Sequence, residues 1–273
     1  MKIFIDSAKI EEIKEVANYG ILDGVTTNPS LIKRAVKGLG GKIDMENYIR
    51  EIFKVVGKKI PVSLEVVGND FDEMVKEGEI LHKKFKKYGN VYVKIPVDPC
   101  LNQVCKRDAD GIKAIKALNK KGIKINCTLI FTPGQALLAA KAGANFVSPF
   151  VGREDDYIRE VNRIKFQKED YFPARGKKTL RKLLGDNGIV SGVDLVGECR
   201  RIFDRGKIKS EILAASIRNV RQFREVALAG ADIATVPLKV INDLLKHNKS
   251  FEGMKKFTED IVPEYADMVG LKK

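Results

Sequence analysis

The run Val91-Tyr92-Val93-Lys94-Ile95-Pro96 is a short β-type segment in which valine and isoleucine alternate with Tyr92 and Lys94. Gly111–Lys121 follows it and predicts an amphipathic helix, since its apolar residues lie three and four positions apart. The same order of strand and helix recurs along most of the chain, with further strands predicted at Ile3–Asp6, Gly24–Thr27, Pro61–Val66, Ile123–Ile130, Phe146–Phe150, Glu211–Ser216 and Asp232–Pro237. Eight such units favour an α/β protein, a closed (β/α)8 TIM barrel, over an open doubly wound sheet.

The spacing of the predicted strands is regular except after the sixth. From Phe146 to Glu211 the interval is 65 residues, whereas every other interval is 37 or fewer. The extra length falls around Tyr157–Val190, which holds nine Lys/Arg and four Asp/Glu residues. We interpret residues 157–190 as an insertion in the loop after strand six, on the carboxyl face where barrel active sites are built. It is either a solvated helical excursion or subunit contact, or a lid.

The remaining helical pattern completes a single domain. Lys9–Tyr19 and Asp70–Lys87 predict helices between the early strands. After the eighth strand, Val240–Lys246 and Phe251–Val269 predict two C-terminal helices with no linker before them. The sequence therefore predicts one TIM-barrel domain over residues 1–273.

Composition excludes several classes of site. The chain has 273 residues, a net charge of +14, four cysteines and two histidines. So few and so scattered cysteines and histidines argue against a disulfide scaffold, a Cys/His metal site or a Ser-His-Asp mechanism. No apolar run is long enough for a membrane span, and the first residues resemble no signal peptide, so we expect a cytoplasmic protein that does not bind membranes. The charge indicates an anionic partner, either nucleic acid or a phosphorylated metabolite.

Alternation along the strands predicts a polar cluster inside the barrel. If Val91, Val93 and Ile95 face the helices, Lys94 faces inward. The same reasoning places Leu129 outward and Ala214 inward. The inward residues that lie near the carboxyl ends of their strands are Asp6, Thr26, Asn28, Ser63, Glu65, Lys94, Asn126, Thr128, Ser148, Phe150 and Ser216. Because burying so many polar groups is costly without partners, a ligand site is favoured over a purely structural network.

These residue types suit one chemistry in particular. A lysine amine kept in a desolvated interior can attack a ketone and form a Schiff base, whose iminium accepts electrons when the adjacent carbon–carbon bond breaks. Asp6 and Glu65 are suited to the proton transfers of such a reaction. Arg153 and Arg218 follow strands six and seven closely, and arginine forks suit a phosphate dianion.

Five motifs together resemble the transaldolase family: GVTTNPSL at 24–31, VKIP at 93–96, NCTL at 126–129, SPFVGR at 148–153 and AASIR at 214–218. The resemblance runs from Lys2 to about Val269 outside the insertion, and is greatest to small microbial transaldolases and fructose-6-phosphate aldolases. It implies a class I, Schiff-base TIM-barrel enzyme that needs no cofactor and no metal. The implied reaction moves a dihydroxyacetone unit from a ketose phosphate, sedoheptulose 7-phosphate or fructose 6-phosphate, to an aldose phosphate in the non-oxidative pentose phosphate pathway.

The resemblance also implies a role for each candidate residue. Lys94 is similar to the Schiff-base lysine, Asp6 to the acid/base at carbon–carbon cleavage, and Glu65 with Thr128 to the pair that positions the catalytic water. The implied substrate-binding residues are Asn28 and Asn126, which hold the dihydroxyacetone hydroxyls, with Thr26 and Ser148 nearby. Phe150 is similar to a ring that lines the pocket, and Arg153, Ser216 and Arg218 are similar to the phosphate site. The implied assembly is a homo-oligomer, a pentamer or decamer, with the C-terminal helix packing on a neighbour.

Two alternatives remain open at this point. One is a fructose-6-phosphate aldolase, which releases free dihydroxyacetone. The plain aldolases of the family carry Gln and Tyr where this chain has Glu65 and Phe150, which favours the transferase. The other is a basic nucleic-acid-binding protein on an inactive barrel. The chain lacks the basic strands interleaved with aromatic residues that such modules use, so no nucleic-acid partner is expected.

Overall fold

A computed structural model describes residues 1–37, 43–101, 109–179 and 182–271. Eight parallel strands form a closed barrel in chain order, each hydrogen-bonded to the next and the last to the first. The strands are β1 Lys2–Asp6, β2 Gly24–Thr26, β3 Pro61–Glu65, β4 Asn90–Pro96, β5 Lys124–Ile130, β6 Phe146–Pro149, β7 Glu211–Ala214 and β8 Ile233–Val236. The predicted TIM barrel is confirmed.

Helices follow the strands around the outside of the barrel. They are α1 Ile10–Asn18, α2 Pro29–Val36, α3 Met45–Val56, α4 Phe71–Phe85, α5 Asp110–Lys120, α6 Pro133–Ala142, α7 Val151–Val161, α8 Gly192–Gly206, α9 Val220–Leu228, α10 Leu238–Leu244, α11 Asn248–Glu259 and α12 Pro263–Met268. The prediction of one helix over Phe251–Val269 is wrong. Val262 is extended (φ −82°, ψ 149°) before Pro263, and proline disfavours the helical region for the residue before it, so two helices form. No helix in the described ranges is long and apolar enough to cross a membrane.

Apolar side chains form two separate groups, one on each face of the strands. The outer core lies between the strands and the helices and takes Val91, Val93 and Ile95 from β4. The inner cluster fills the barrel and consists of Phe4, Tyr92, Phe146, Leu213, Ala215 and Ile233. The rings of Tyr92 and Phe146 stack within it, with centroids 4.3 Å apart.

The inner cluster forms a floor beneath the carboxyl end of the barrel. Phe4 lies two residues before Asp6, and Tyr92 lies two residues before Lys94. Because side chains two apart along a strand share a face, each polar side chain stands directly above an apolar one. The floor also explains Gly24, since a Cβ there would lie 2.3 Å from the ring of Phe4.

Two of the predicted side-chain directions are wrong. Leu129 does not join the outer core, because its backbone is left-handed (φ 59°) and the pairing of β5 with β6 shifts between Cys127 and Ile130. Ile130 takes that place instead. Ala214 lies in the outer core, while Leu213 and Ala215 face the interior.

The chain between α7 and α8 folds back against the barrel mouth. The predicted segment 157–190 begins inside α7, and its interpretation as an insertion stays a prediction. Phe172 and Leu184 pack with Ile158 of α7 in a small apolar cluster of their own. The hydroxyl of Tyr171 donates to Glu225 of α9 at 2.8 Å. The segment is thereby attached to the structure that follows β7.

Candidate active site

A pocket opens where the carboxyl ends of the barrel strands meet. Ten of the twelve predicted site residues line it, namely Asp6, Thr26, Asn28, Lys94, Asn126, Ser148, Phe150, Arg153, Ser216 and Arg218. Glu65 and Thr128 are the two that do not. The alternation of the strands therefore places most of the candidate residues together, as expected for strands that end at one mouth.

Lys94 is held inside the barrel by Glu65 of β3 and by Thr27, the residue after β2. Its side chain is 6% exposed, and its Nζ lies 3.0 Å from Oε2 of Glu65. The two residues are direct partners in the register of β3 and β4, so their side chains extend from the same face. Nζ also donates to the carbonyl oxygen of Thr27 at 3.4 Å. Glu65 thus contacts the amine of Lys94 although it does not line the pocket.

Asp6 faces the same space from β1. Oγ1 of Thr26 donates to Oδ1 of Asp6 at 2.8 Å, and it shares a second hydrogen bond of 2.5 Å with Oγ1 of Thr235. Burial raises the pKa of Asp6 above its ordinary value, while Lys94 exerts the largest of the opposing effects. Such a carboxyl group can hold a proton at higher pH than an exposed one, which is a property of acid/base groups.

Amide and hydroxyl groups form the wall between Lys94 and β6. Nδ2 of Asn126 donates to Oγ of Ser63 at 3.1 Å, and Oγ of Ser148 donates to Oδ1 of Asn126 at 2.6 Å. On the opposite side, Oδ1 of Asn28 accepts from the backbone N–H of Leu31 at 2.9 Å and caps α2. Both asparagine side chains are therefore fixed in position before any ligand arrives.

Thr128 lies one inward position beyond Asn126 on β5. It is fully buried, and its hydroxyl has no hydrogen-bond partner among the residues that the structure describes. A buried polar group of this kind is usually satisfied by water or a ligand. Its predicted action on a catalytic water stays a prediction.

The arginines at the rim are positioned by close backbone packing. A Cβ on Gly152 would lie 2.4 Å from the carbonyl oxygen of Ser216 and 2.7 Å from Nε of Arg218, so only glycine allows this approach. Ser216 itself is left-handed (φ 61°) and turns into the pocket. Arg218 pairs with Asp156 of α7 through two hydrogen bonds, and Arg153 lies over the ring of Phe150 at 5.2 Å.

Several residues of the pocket were not predicted from the sequence. The polar ones are Ser30, Arg34, Lys168 and Thr235. Thr235 could have been found, because it shares the parity of Ile233 on the eighth strand. Ser30 and Arg34 are four residues apart, and that spacing places them on one face of α2. Lys168 lies outside the regular elements, so no periodicity indicates it.

Two buried acids lie behind the rim. Asp155 accepts from the backbone N–H of Gly192 at 2.8 Å and from Nε2 of Gln222 at 2.7 Å, so it ties α7 to α8 and α9. Glu154 is 1% exposed, and neither of its oxygens has a hydrogen-bond partner in the described part of the chain. Burial, with smaller contributions from Asp186 and Asp155, raises the pKa of Glu154 to about 7.

We expect Glu154→Gln to become more stabilising as the pH rises. A carboxyl group whose pKa is raised by folding favours the folded state below its unfolded pKa, and this stability is lost as the pH rises through the folded pKa of about 7. The free energy of unfolding of the variant, relative to wild type, should increase by about 1–3 kcal/mol between pH 5 and pH 8. Urea unfolding at both values measures it. Glu160→Gln, on the exposed side of α7, is the control, and an equal difference at both pH values would contradict the prediction.

Comparisons with known proteins identify the family of this chain. The sequence profile of the Transaldolase/Fructose-6-phosphate aldolase family matches residues 3–269. A probable transaldolase of Bacteroides thetaiotaomicron is 42% identical over 261 residues, covering 95% of this chain and 97% of the relative. A probable transaldolase of Thermoplasma acidophilum is 42% identical over 260 residues, covering 95% of each chain. These names indicate a transferase of the transaldolase type. The chain belongs to the transaldolase/fructose-6-phosphate aldolase family.

Proposed function

We propose that the protein is a transaldolase that carries a dihydroxyacetone unit on Lys94. The donor is sedoheptulose 7-phosphate or fructose 6-phosphate, and the acceptor is glyceraldehyde 3-phosphate or erythrose 4-phosphate, as in the non-oxidative pentose phosphate pathway. The observation that carries the proposal is the buried amine of Lys94. Its Nζ lies 3.0 Å from Oε2 of Glu65, and Lys94 lines a pocket together with Asp6 and several cations.

The first stage joins the donor to the enzyme. The ammonium of Lys94 gives a proton to the carboxylate of Glu65 beside it, and the resulting amine attacks the C2 carbonyl carbon of the ketose phosphate to form a carbinolamine. Protonation of the C2 hydroxyl allows water to leave and gives the iminium. Glu65 contacts Nζ directly, so it is placed to accept and return these protons, and the unpartnered hydroxyl of Thr128 would hold the departing water.

The second stage breaks and remakes a carbon–carbon bond. Asp6 takes the proton of the C4 hydroxyl, the C3–C4 bond breaks, and its electron pair moves onto the iminium to give an enamine. The aldose phosphate leaves. The enamine carbon then attacks the aldehyde carbon of the acceptor, Asp6 returns its proton to the new hydroxyl, and hydrolysis frees Lys94. Asn28, Asn126 and Ser148 would hold the hydroxyls of the dihydroxyacetone unit.

Phe150 favours transfer over simple cleavage. An aldolase must protonate the enamine carbon to release dihydroxyacetone, and a tyrosine hydroxyl could supply or relay that proton. Phe150 lines the pocket without such a group, and its ring is flanked by Phe131 and Arg153. The enamine would therefore persist until an acceptor aldehyde enters.

We also propose a homo-oligomer in the cytoplasm, assembled through the C-terminal helices. α11 exposes Phe251, Met254 and Phe257, with exposed fractions of 73%, 65% and 74%. Large apolar side chains spaced three apart on one helix form an apolar stripe, which is typical of a surface that packs on another copy. A pentamer or decamer is the stoichiometry that the family resemblance implies.

Borohydride reduction in the presence of fructose 6-phosphate tests the Schiff base. We expect a three-carbon adduct on the peptide that contains Lys94, because reduction traps the dihydroxyacetone unit on the nitrogen. Omission of fructose 6-phosphate is the control and should leave the peptide unmodified. An adduct on another lysine, or none, would overturn the proposal.

Rates of product formation without borohydride separate the transferase from the aldolase. With fructose 6-phosphate alone, the transaldolase should release dihydroxyacetone far more slowly than it transfers it to erythrose 4-phosphate. Release of dihydroxyacetone as fast as its transfer to erythrose 4-phosphate would identify the aldolase instead.

A further inference from the structure

The segment after α7 places one lysine at the pocket that no strand or helix supplies. Lys168 lines the pocket together with Asp6 and Arg153. It also borders the adjoining groove, which shares Asp6, Arg34, Ser216 and Arg218 with the pocket. Lys168 therefore lies where a substrate that extends from Lys94 toward the rim would pass.

Contacts with the structure after β7 hold Lys168 in this place. Its carbonyl oxygen accepts from Nη1 of Arg218 at 3.0 Å. The next residue, Glu169, accepts through its carbonyl oxygen from Nδ2 of Asn219 at 3.4 Å. Tyr171, farther along the segment, contacts Arg221 of α9, whose guanidinium lies 3.8 Å from the centre of the tyrosine ring. These side chains after β7 thus fix the backbone from which the Lys168 side chain extends.

The side chains around the pocket carry an excess of positive charge that suits a phosphate group. Lys94 pairs with Glu65, and Arg218 pairs with Asp156. Three other cations of the lining, Arg34, Arg153 and Lys168, have no carboxylate partner in the ranges that the structure describes. Asp6 is the one carboxylate among the lining residues. Three unpaired cations facing one anion leave about two positive charges, which matches a phosphate dianion.

We infer that Lys168, together with Arg34, binds the phosphate group of the substrates and makes the segment after α7 a determinant of their selection. This inference rests on the proposed function for its substrate class. It adds two cations, one from α2 and one from the segment, to the arginines that the family resemblance implies. The lysine ammonium acts as a point charge, so it tolerates phosphates of donors that differ in length by one carbon.

Steady-state kinetics of Lys168→Met test the inference. We expect the KM for fructose 6-phosphate to rise about tenfold, since one charge-assisted contact is lost, while kcat stays within about twofold. The kcat/KM for unphosphorylated fructose should not change, and Lys168→Arg should recover most of the loss. Lys165→Met is the matched control, because Lys165 is exposed in the same segment and does not line the pocket. An equal loss with fructose, or no change beyond that of Lys165→Met, would overturn the inference.

A binding measurement keeps this inference separate from the proposed function. Inorganic phosphate should raise the Tm of wild type and of Lys165→Met, and raise it less in Lys168→Met. If wild type gives no borohydride adduct on Lys94, the proposed reaction fails while the phosphate titration still decides the role of Lys168. Equal shifts of Tm in all three proteins would overturn that role even if the adduct forms.

Discussion

Replacing Lys94 with methionine should lower kcat for dihydroxyacetone transfer by about 10⁴-fold or more. Methionine has nearly the same length and fills the same buried space, but it has no amine to join the donor. Because the covalent intermediate cannot form, the remaining residues of the pocket can bind substrate without providing a route for the reaction. The measurement is the rate of transfer from fructose 6-phosphate to erythrose 4-phosphate, monitored as the formation of sedoheptulose 7-phosphate.

A stability control is needed because Lys94 is half of a buried ion pair. Its removal leaves Glu65, which is 14% exposed, without its partner, and an unpaired buried charge is costly. The double variant Lys94→Met/Glu65→Gln removes that charge. Its free energy of unfolding in urea should be closer to that of wild type than the value for Lys94→Met. Lys33→Met, on α2, should keep full activity. A Lys94→Met protein within about tenfold of wild type in kcat would contradict covalent catalysis at this residue.

Alternation along the strands was sufficient to predict most of the site. Lys94 and Asp6 each stand two residues above an apolar side chain of the inner cluster, so their direction follows from the period of an extended strand. The prediction failed where the backbone leaves that conformation. Ser216 is left-handed, so counting backward from it placed Ala214 inside the barrel, whereas Leu213 and Ala215 are the interior residues.

Residues brought in by tertiary contacts were beyond prediction from periodicity. Lys168 reaches the pocket because its segment is bound to Arg218 and Asn219, which are fifty residues away in the sequence. The pairing of Arg218 with Asp156 likewise depends on the packing of α7 against the chain after β7. Local patterns carry no information on such contacts, whereas the motif resemblance identified Arg218 without them.

The pairing of Arg218 with Asp156 affects the part that Arg218 would play in the proposed phosphate site. Its guanidinium is already occupied by a carboxylate, so its charge is largely offset before substrate binds. Arg153 and Lys168 have no such partner in the described part of the chain, and they carry more of the free positive charge. In the proposed phosphate site, Arg218 would therefore hold the segment at the pocket as much as attract the phosphate.

Replacing Asp6 with asparagine should separate the two stages of the reaction. Asparagine has the same shape and can still accept the hydrogen bond from Oγ1 of Thr26, so the pocket should keep its geometry. It cannot take the proton of the C4 hydroxyl, because its amide is not basic. We expect kcat to fall by about 10²–10⁴-fold, while the amine of Lys94 still forms the iminium with fructose 6-phosphate.

Borohydride trapping distinguishes the two stages by the mass of the adduct on Lys94. In wild type the adduct on Lys94 should contain the three-carbon unit that remains after cleavage. In Asp6→Asn it should contain the whole ketose phosphate, since the C3–C4 bond stays intact. Asp72→Asn, exposed in the first turn of α4, should give the wild-type adduct. A three-carbon adduct that forms at the wild-type rate in Asp6→Asn would assign the proton transfer to another group. Glu65 would then be the first to test, because it is the carboxylate in contact with Lys94.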